Sequence, residues 1–430
     1  RFYDPEEERM AGLGSLWIKH HKRRTYEGVD FAPEGMSEET EKRIYNMWRG
    51  FAVQPAPRYP DIRDHVRHFP TFYDHILRNV SRGSKPTALW VWAWYAHMFQ
   101  HPAEKLGTAL VLRGKEGVGK STPGDVIGSL LGPHYVLVDD AKHLTGNFNS
   151  HMAQCLFLQA DEAMWAGDRA AESRLKSLVT SMFHLIERKN VDAVAVRNLI
   201  RVQFTSNSAW VVPAGFEARR WTVLDVGEGA LQDRQYFAKM HAELDAGGRE
   251  HLLAYLLAFD LSQADPSAAL QTEALFEQKI ASLEPHVAWW LETLQRGALL
   301  PQQRDWVYEI STDLLYGSYL TYAEKLGVRR KMPRPQWALE LRKLIPPPGV
   351  RAGKVWVEAP EYGPGGEVIH TTDGKIPRKR VNGYQLPGLH KCRKHIEALM
   401  RWEIDWADHD LDPPEGGAPA EPRSAAAGSS

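Results

Sequence analysis

The chain has 430 residues, of which 43% are hydrophobic and 25% are charged, and its formal net charge is −1. These values are typical of a globular protein of roughly two to four domains, and they exclude a polycation that binds nucleic acid by overall attraction. No stretch approaches the roughly 18 apolar residues of a membrane helix, so a membrane partner is not expected. Two distant cysteines, Cys155 and Cys392, predict no disulfide framework and favour a cytoplasmic location.

The first part of the chain, 1–105, is predicted to be mainly helical. Apolar residues recur at helical intervals over 61–80, with a break at Pro70. The apolar run over 87–99 is too short to cross a membrane and is typical of a buried helix. We expect these helices to form a region of their own ahead of the next segment.

Strands and helices alternate over the second segment, 106–262. The predicted strands are short and apolar, and they cover 107–114, 134–140, 154–163, 199–207 and 219–226. A glycine-rich loop and a predicted amphipathic helix over 120–132 follow the first strand. This alternation is typical of an α/β fold with a parallel sheet and helices on both of its faces.

The glycine-rich loop fits the phosphate-binding pattern G-x-x-x-x-G-K-[ST], since residues 114–121 are GKEGVGKS. Lys120 is expected to contact the β- and γ-phosphates of a nucleotide, and Ser121 to bind Mg²⁺. Pro123 falls in the first helical turn, where it is tolerated at the cost of a slight distortion. The expected nucleotide contacts are Gly114, Lys115, Glu116, Gly117, Val118, Gly119, Lys120, Ser121 and Thr122.

Candidate catalytic residues lie at the ends of three further strands. Asp161 and Glu162 end a buried strand, where Asp161 suits Mg²⁺ and Glu162 suits polarisation of an attacking water. Asn207 ends the next strand and is predicted to orient that water. Arg219 and Arg220 precede the last strand. They form either a salt bridge within the chain or an arginine finger for a neighbouring subunit, and the sequence does not choose between the two arginines.

The third segment, 263–408, has a different character. Helices are predicted over 270–297, 311–327 and 335–345, and they precede a strand over 354–359 and a basic run over 375–380. This order outlines a winged helix–turn–helix. Its turn carries basic residues for a duplex or partner contact, or for solvated surface: Arg329, Arg330, Lys331 and Arg334. The tail, 409–430, is rich in Pro, Gly, Ala and Ser and is predicted to be disordered.

As a set, the loop, the ADE at 160–162, the TSN at 205–207 and the arginine pair resemble superfamily 3 helicases, a compact AAA+ group of small viruses, phages and plasmids. Flanking stretches such as YEGVDFAPEG and LKSLVTSMFHLIERKN are similar to the phage and plasmid primase-helicase family, which includes the poxvirus-type proteins. The resemblance covers roughly 25–400. It implies a P-loop AAA+-type sheet, a collar-like N-terminal region and a C-terminal winged-helix-like α+β domain.

The resemblance also implies an activity: a DNA helicase of a phage or plasmid replication system that uses ATP and Mg²⁺. It implies a homo-oligomer, usually a hexamer, that moves on the single strand of a forked duplex. A hairpin over 183–198 is then expected to place Arg188 and Lys189 on the DNA. The chain begins with Arg1, which leaves open a primase-polymerase domain ahead of it or as a partner.

Other classes of protein share the loop. A DNA-binding replication initiator that uses ATP only to assemble is one alternative. A P-loop kinase or phosphotransferase is another, and a viral packaging ATPase is a weaker third. Stimulation of ATP hydrolysis by single-stranded DNA separates the helicase from the kinase.

Overall fold

The computed structural model describes residues 2–4, 9–11, 13–146, 149–162, 169–188, 191–208, 211–212, 218–347, 349, 351–358, 361–362, 368–369, 371 and 376–406. The chain divides into two compact units, Arg1–Pro213 with Arg219–Leu275 and Ala214–Ala218 with Phe276–Ser430. The predicted boundaries at 105/106 and 262/263 both fall inside the first unit and stay predictions. The predicted disordered tail lies outside the described residues.

The first unit is mixed α/β. Its strands, in chain order, are β1 (Phe2–Asp4), β2 (Arg9–Ala11), β3 (Gly28–Asp30), β4 (Ile44–Asn46), β5 (Ala109–Arg113), β6 (Tyr135–Val138), β7 (Phe157–Asp161), β8 (Phe183–Arg188), β9 (Val191–Arg197), β10 (Arg201–Ser206) and β11 (Trp221–Asp225). Its α-helices are α1 (Leu13–Lys19), α2 (Glu38–Arg43), α3 (Pro70–Asp74), α4 (Lys85–Gln100), α5 (Thr122–Ser129), α6 (Ala141–Thr145), α7 (Arg169–Thr180), α8 (Arg234–Glu243) and α9 (Arg249–Ala258).

The helices predicted over 61–80 and 87–99 are present, whereas the first 60 residues contain four short strands, β1 to β4. A 3₁₀ helix covers Ile62–His68, and Pro70 then begins α3. Proline is favoured at the first helical position because its missing N–H would have no partner there. A π-helix over His75–Val80 leads to α4, which is buried along most of its length. Trp90, Trp92 and Trp94 are among its fully buried side chains, as expected for the apolar run.

The predicted parallel sheet is confirmed. Five parallel strands pair in the order β11-β5-β10-β7-β6. Strand β10 is inserted between β5 and β7, so the carboxyl ends of these three strands lie side by side. The register pairs Ser206 with Arg113 and Thr205 with Asp161. Strands β5 and β7 are mostly apolar and buried, and α4 contributes to the same core as β5 and α5.

The predicted hairpin over 183–198 is also present. Strands β8 and β9 pair antiparallel, with Phe183 opposite Arg197. Several apolar side chains at this hairpin are exposed: Met182, Phe183, Leu185 and Val194. Arg188 is the last residue of β8, whereas Lys189 lies outside the described residues. The proposed contact of these two residues with DNA therefore stays a prediction.

The second unit joins helices to a small antiparallel sheet. After α10 (Glu273–Ala281), which crosses the boundary between the units, come α11 (Pro285–Arg296), β12 (Glu309–Ser311), α12 (Thr312–Lys325), α13 (Arg334–Lys343), β13 (Arg351–Glu358), β14 (Glu361–Tyr362), β15 (Val368–Ile369), β16 (Arg378–Gln385) and α14 (Leu389–Met400). The sheet has the order β12-β16-β13.

Two predictions for this unit were wrong in detail. The helix expected over 270–297 is two helices, because Pro285 cannot continue the first one and instead begins α11. The basic run over 375–380 contributes to a strand, β16, that was not predicted. Ser311 caps α12 as expected, since its side chain accepts a hydrogen bond from the Asp313 N–H.

Within the described residues, every helix falls short of the length and apolar character that crossing a bilayer requires.

Candidate functional site

The segment Gly114–Ser121, here the glycine loop, leaves the carboxyl end of β5 and enters α5. Gly117 and Gly119 have φ values of +84° and +83°, a region that side chains with a Cβ rarely adopt. Loops of this kind let successive N–H groups form an anion-binding concavity. Helix α5 begins directly after the loop, so its unpaired N–H groups and positive dipole end face the same space.

The glycine loop is held from behind by residues that no motif marks. The carbonyl of Gly119 lies 3.0 Å from His75 Nε2, and Asn79 Nδ2 lies 3.1 Å from His75 Nδ1. Since the asparagine amide donates to Nδ1, the neutral imidazole carries its proton on Nε2 and donates it to the carbonyl. His75 is fully buried, and burial lowers the pKa of its imidazole. This contact joins two segments that are 44 residues apart.

The two glycines are also required by their neighbours. A Cβ atom at Gly119 would lie 2.6 Å from the Phe237 ring and 2.8 Å from His75. A Cβ atom at Gly117 would lie 2.9 Å from the side chain of Gln232, whose N–H donates to the Gly117 carbonyl at 2.9 Å. The loop therefore has its shape fixed by packing as well as by its own φ values.

Ser121 and Asp161 meet beside the loop. The Ser121 hydroxyl donates to Asp161 Oδ2 at 2.9 Å, and the Thr205 hydroxyl donates to Asp161 Oδ1. Thr205 comes from β10, the strand next to β7. Hydroxyl and carboxylate oxygens are the hard ligands that Mg²⁺ prefers, so this donor set fits that ion. Thr205 was not singled out from the sequence, although it belongs to the TSN stretch.

Lys120 and Glu162 form an ion pair in the same place. Lys120 Nζ lies 3.1 Å from Glu162 Oε1, and the Asn207 N–H donates to Glu162 Oε2 at 3.3 Å. Glu162 has a φ of +53°, which is uncommon for a residue other than glycine. Its N–H donates to the Thr205 carbonyl at 3.0 Å, which helps to hold this conformation. Such strain persists where the surroundings determine the backbone, and it is found most often at functional sites.

A polar layer lies between α5 and the sheet. Gln159 Nε2 donates to the Ser121 carbonyl at 3.3 Å and to Asp125 at 3.2 Å, while the Tyr135 hydroxyl donates to Gln159 Oε1 at 2.9 Å. The Tyr95 hydroxyl donates to Gln203 Oε1 at 2.5 Å. Burial raises the pKa of the Asp125 carboxyl. Both glutamines are fully buried between the sheet and α5, so the position of α5 depends on directed hydrogen bonds.

Arg219 and Arg220 lie away from this cluster. Strand β11 runs parallel to β5, and the N–H of Ala109, the first residue of β5, donates to the Arg220 carbonyl at 2.8 Å. The two arginines are therefore at the amino ends of the strands, whereas the glycine loop is at the carboxyl ends. A five-residue strand spans about 16 Å, so neither arginine reaches the Lys120 cluster of its own chain.

The structure thus brings together Lys120, Ser121, Asp161, Glu162 and the backbone of Asn207. The side chain of Asn207 is exposed at the carboxyl end of β10. Lys115 is exposed and pairs with Glu228 at 2.8 Å. The chemical roles that the sequence analysis assigned to these residues stay predictions.

Residues 112–220 match a family of unknown function (DUF5906). The chain is 22% identical over 213 residues to the DNA Primase-polymerase of Nitratiruptor phage NrS-1, a match that covers 48% of this chain and 29% of that relative. The matched stretch is therefore less than a third of the relative's length.

Solved structures of the NrS-1 C-terminal region are similar to this chain. The apo structure has a TM-score of 0.57 at 16% identity, covering 84% of this chain and 85% of that chain. The A form apo structure has a TM-score of 0.56 at 17% identity, covering 87% and 91%. At these identities the likeness is one of fold. The chain is thus similar in fold to the NrS-1 C-terminal region, and the stretch that matches the family of unknown function, 112–220, contains the glycine loop and Asn207.

Proposed function

We propose that this chain is an ATP-dependent DNA helicase: a P-loop ATPase of the AAA+ type that moves along single-stranded DNA in a phage or plasmid replication system. One observation carries the proposal. The glycine loop, Asp161 and Glu162 meet at the carboxyl ends of the parallel strands β5 and β7, on either side of β10, where α/β sheets bind their ligands. The similarity to a phage primase-polymerase supports a role in DNA replication.

The residues present fit a nucleotide and Mg²⁺. The loop and the start of α5 suit phosphate, and Ser121 with Asp161 would hold the ion, which supplies neutralisation of phosphate charge. Lys120 can exchange the Glu162 carboxylate for a phosphate oxygen. Glu162 is then free to hold a water molecule for attack, with Asn207 beside it.

The arrangement of the remaining residues supports a composite site in an oligomer. Arg219 and Arg220 are too far from the glycine loop of their own chain, so a role for either one in hydrolysis requires a second copy. The β8–β9 hairpin suits a DNA contact, since Arg188 lies at its turn. A winged-helix-like second unit is part of the same proposal, because α12, α13 and the small sheet follow one another in that order.

The test is ATP hydrolysis with and without single-stranded DNA, together with strand displacement on a forked substrate. Lys120→Ala is expected to lower hydrolysis on the order of 100-fold or more, because the buried ammonium of Lys120 lies within the loop and beside Glu162. Lys42→Ala is the control. Its side chain lies outside the glycine loop, is 71% exposed and pairs with the surface carboxylate of Glu38, so we expect activity within about twofold of wild type.

Each contrary outcome points to a different function. No DNA-stimulated hydrolysis in the wild type would overturn the helicase proposal. Phosphoryl transfer to a small acceptor would indicate a kinase. Full replication activity in a Glu162→Gln variant, which binds ATP but is expected to hydrolyse it poorly, would indicate an initiator that uses ATP only to assemble.

A further inference from the structure

Strands β13 and β16 of the second unit form a two-stranded ribbon that is strongly basic, here the basic ribbon. Its residues pair from Arg351–Gln385 to Glu358–Arg378. It carries a single carboxylate, Glu358, in a chain whose net charge is −1. Its five cations are all exposed: Arg351, Lys354, Arg378, Lys379 and Arg380. Exposed charged side chains are usually only solvated. The aromatic residue within the ribbon is the feature that distinguishes it from ordinary charged surface.

Trp356 lies in the middle of the ribbon and is 50% exposed. The other tryptophans at the heart of this unit, Trp289, Trp290 and Trp337, are at most 2% exposed, as expected for so large an apolar side chain. Half of the surface of Trp356 is therefore open, so that a ligand can contact it.

The register places cations around the indole. Trp356 is directly opposite Arg380, and residues directly opposite in an antiparallel pair lie on one face with Cβ atoms about 5 Å apart. Lys354 is two residues along the same strand and so shares that face. Arg378 donates from its guanidinium to the Trp356 carbonyl at 2.9 Å. Two carboxylates are also near. Glu358 lies on the same strand, and Glu309 Oε2 accepts a hydrogen bond from the backbone N–H of Trp356 at 3.4 Å.

The positive charge of the ribbon is available to a ligand. Within the described part of the chain, Lys354, Lys379 and Arg380 make no ion pair. By contrast, two cations of the turn between α12 and α13 are neutralised, since Lys331 pairs with Glu324 at 3.0 Å and Arg334 with Asp313 at 2.6 Å. Among the described residues the turn keeps two cations without an ion pair, Arg329 and Arg330, whereas the ribbon has three such cations and an exposed indole among them.

We propose that the basic ribbon binds single-stranded nucleic acid, with an unpaired base stacked on Trp356 and the phosphates held by Arg380, Lys354 and Arg378. An aromatic side chain among cations is the combination that binds single strands without sequence preference. An unpaired base is required because the faces of bases within a duplex are already covered by stacking. This binding needs neither ATP nor an oligomer, so it goes beyond the motor function proposed above.

Photocrosslinking tests the contact directly. The full chain, without nucleotide, is irradiated with a single-stranded oligothymidylate that contains 5-iodouracil. Trypsin cleaves after Lys354 and Lys375, which releases residues 355–375 with Trp356 as their tryptophan. We expect fragment spectra to place the crosslink on Trp356, in the wild type and equally in a Lys120→Ala variant without ATPase. Recovery of this peptide without a crosslink, while other peptides carry one, would overturn the proposal.

The salt dependence of binding separates stacking from charge. By fluorescence anisotropy, Trp356→Leu is expected to weaken binding about 5- to 100-fold with an unchanged salt slope, since base stacking involves no counterion release. Trp356→Phe keeps an aromatic face and should restore much of the affinity. Arg380→Ala should instead reduce the slope by about one. Leu339→Ala is the control, because Leu339 is 60% exposed on α13 of the same unit.

A purely structural role for Trp356 gives a different pattern. Trp356→Leu would then lower the melting temperature. Trp356→Phe would restore binding only to the extent that it also restores the melting temperature. Wild-type affinity in Trp356→Leu, or equal affinity for single strands and duplex in all variants, would also contradict the proposal.

Discussion

At the scale of single residues, the glycine loop depends on contacts made from outside its motif. His75 binds the Gly119 carbonyl, and Gln232 and Phe237 close the space in which a Cβ atom would lie. The motif predicted the loop because glycine, lysine and serine have fixed positions in it. It could not predict His75, because a hydrogen bond between residues 44 apart leaves no local pattern.

His75→Ala is expected to weaken ATP binding roughly 2- to 12-fold, the effect of losing one hydrogen bond that positions the loop. His75→Gln can still donate from its amide and should bind ATP nearly as well as wild type. Binding of a fluorescent ATP analogue at pH 7.5 measures both. Equal affinity in His75→Ala and wild type would show that Phe237 and Gln232 hold the loop without His75.

The stability of wild type and that of His75→Gln are expected to depend differently on pH. Burial lowers the pKa of His75 below 6.5, so the folded state binds fewer protons than the unfolded state as the pH falls. The contribution of His75 to stability is therefore complete above about pH 6.5 and is lost as the pH drops towards its folded pKa. Urea unfolding between pH 5 and 7.5 should show a shallower loss in His75→Gln than in wild type.

At the scale of elements, the β8–β9 hairpin is tied to the sheet by a partly buried lysine, Lys105. Lys105 Nζ donates to the carbonyls of Leu178 and Ile200 at 2.8 and 2.6 Å and to Asn198 Oδ1 at 3.0 Å. Asn198 Nδ2 in turn donates to the Leu178 carbonyl at 2.8 Å. The end of α7, the end of the hairpin and the start of β10 thus meet at one amine. A fixed base of this kind is what a hairpin needs if it is to transmit motion to DNA.

Burial, and secondarily the charge of Arg201, lowers the pKa of Lys105 well below its ordinary value. The unfolded state therefore binds more protons than the folded state, and stability rises with pH between the folded pKa and about 10.5. Lys105→Met should remove this rise, while Lys42→Met, at a lysine that is 71% exposed, should keep it. Unfolding free energies between pH 6 and 10 provide the comparison. Identical slopes in wild type and Lys105→Met would contradict the assignment.

The predictability of each element follows from its surroundings. The sheet strands were predictable because strands buried on both faces are continuous apolar runs, as in β5 and β7. Strand β16 was missed because its first half, Arg378–Arg380, is exposed and basic and has no apolar alternation. The meeting of Asp161, Glu162 and the Asn207 backbone was predictable because the carboxyl ends of parallel strands share one edge of the sheet. The division into two units was not, since it depends on contacts distant in sequence.

At the scale of the whole molecule, the direction of β11 determines what an oligomer has to supply. Both arginines precede this strand, at the edge of the sheet opposite the glycine loop. If either arginine takes part in hydrolysis, a neighbouring chain has to supply it, as an arginine finger does in trans. A monomer that hydrolyses ATP at the full rate would be inconsistent with this arrangement.

Two inactive variants are therefore expected to restore each other. A chain with both Arg219→Ala and Arg220→Ala keeps its glycine loop, and a Lys120→Ala chain keeps its arginines. In an equal mixture, about a quarter of the interfaces join an intact loop to intact arginines, so about a quarter of wild-type hydrolysis is expected. Hydrolysis is measured after mixing and compared with each variant alone. No recovery, in samples where native mass spectrometry shows mixed oligomers, would contradict a site shared between chains.

The polar layer under α5 has a consequence for how this chain can vary. Gly124 faces the two buried glutamines, and a Cβ atom there would collide with the Gln159 side chain. A larger residue at 124 thus requires a shorter one at 159, and a shorter residue at 159 removes a partner of both Ser121 and Tyr135. These positions are coupled, so relatives of this protein should keep the whole set or replace it together.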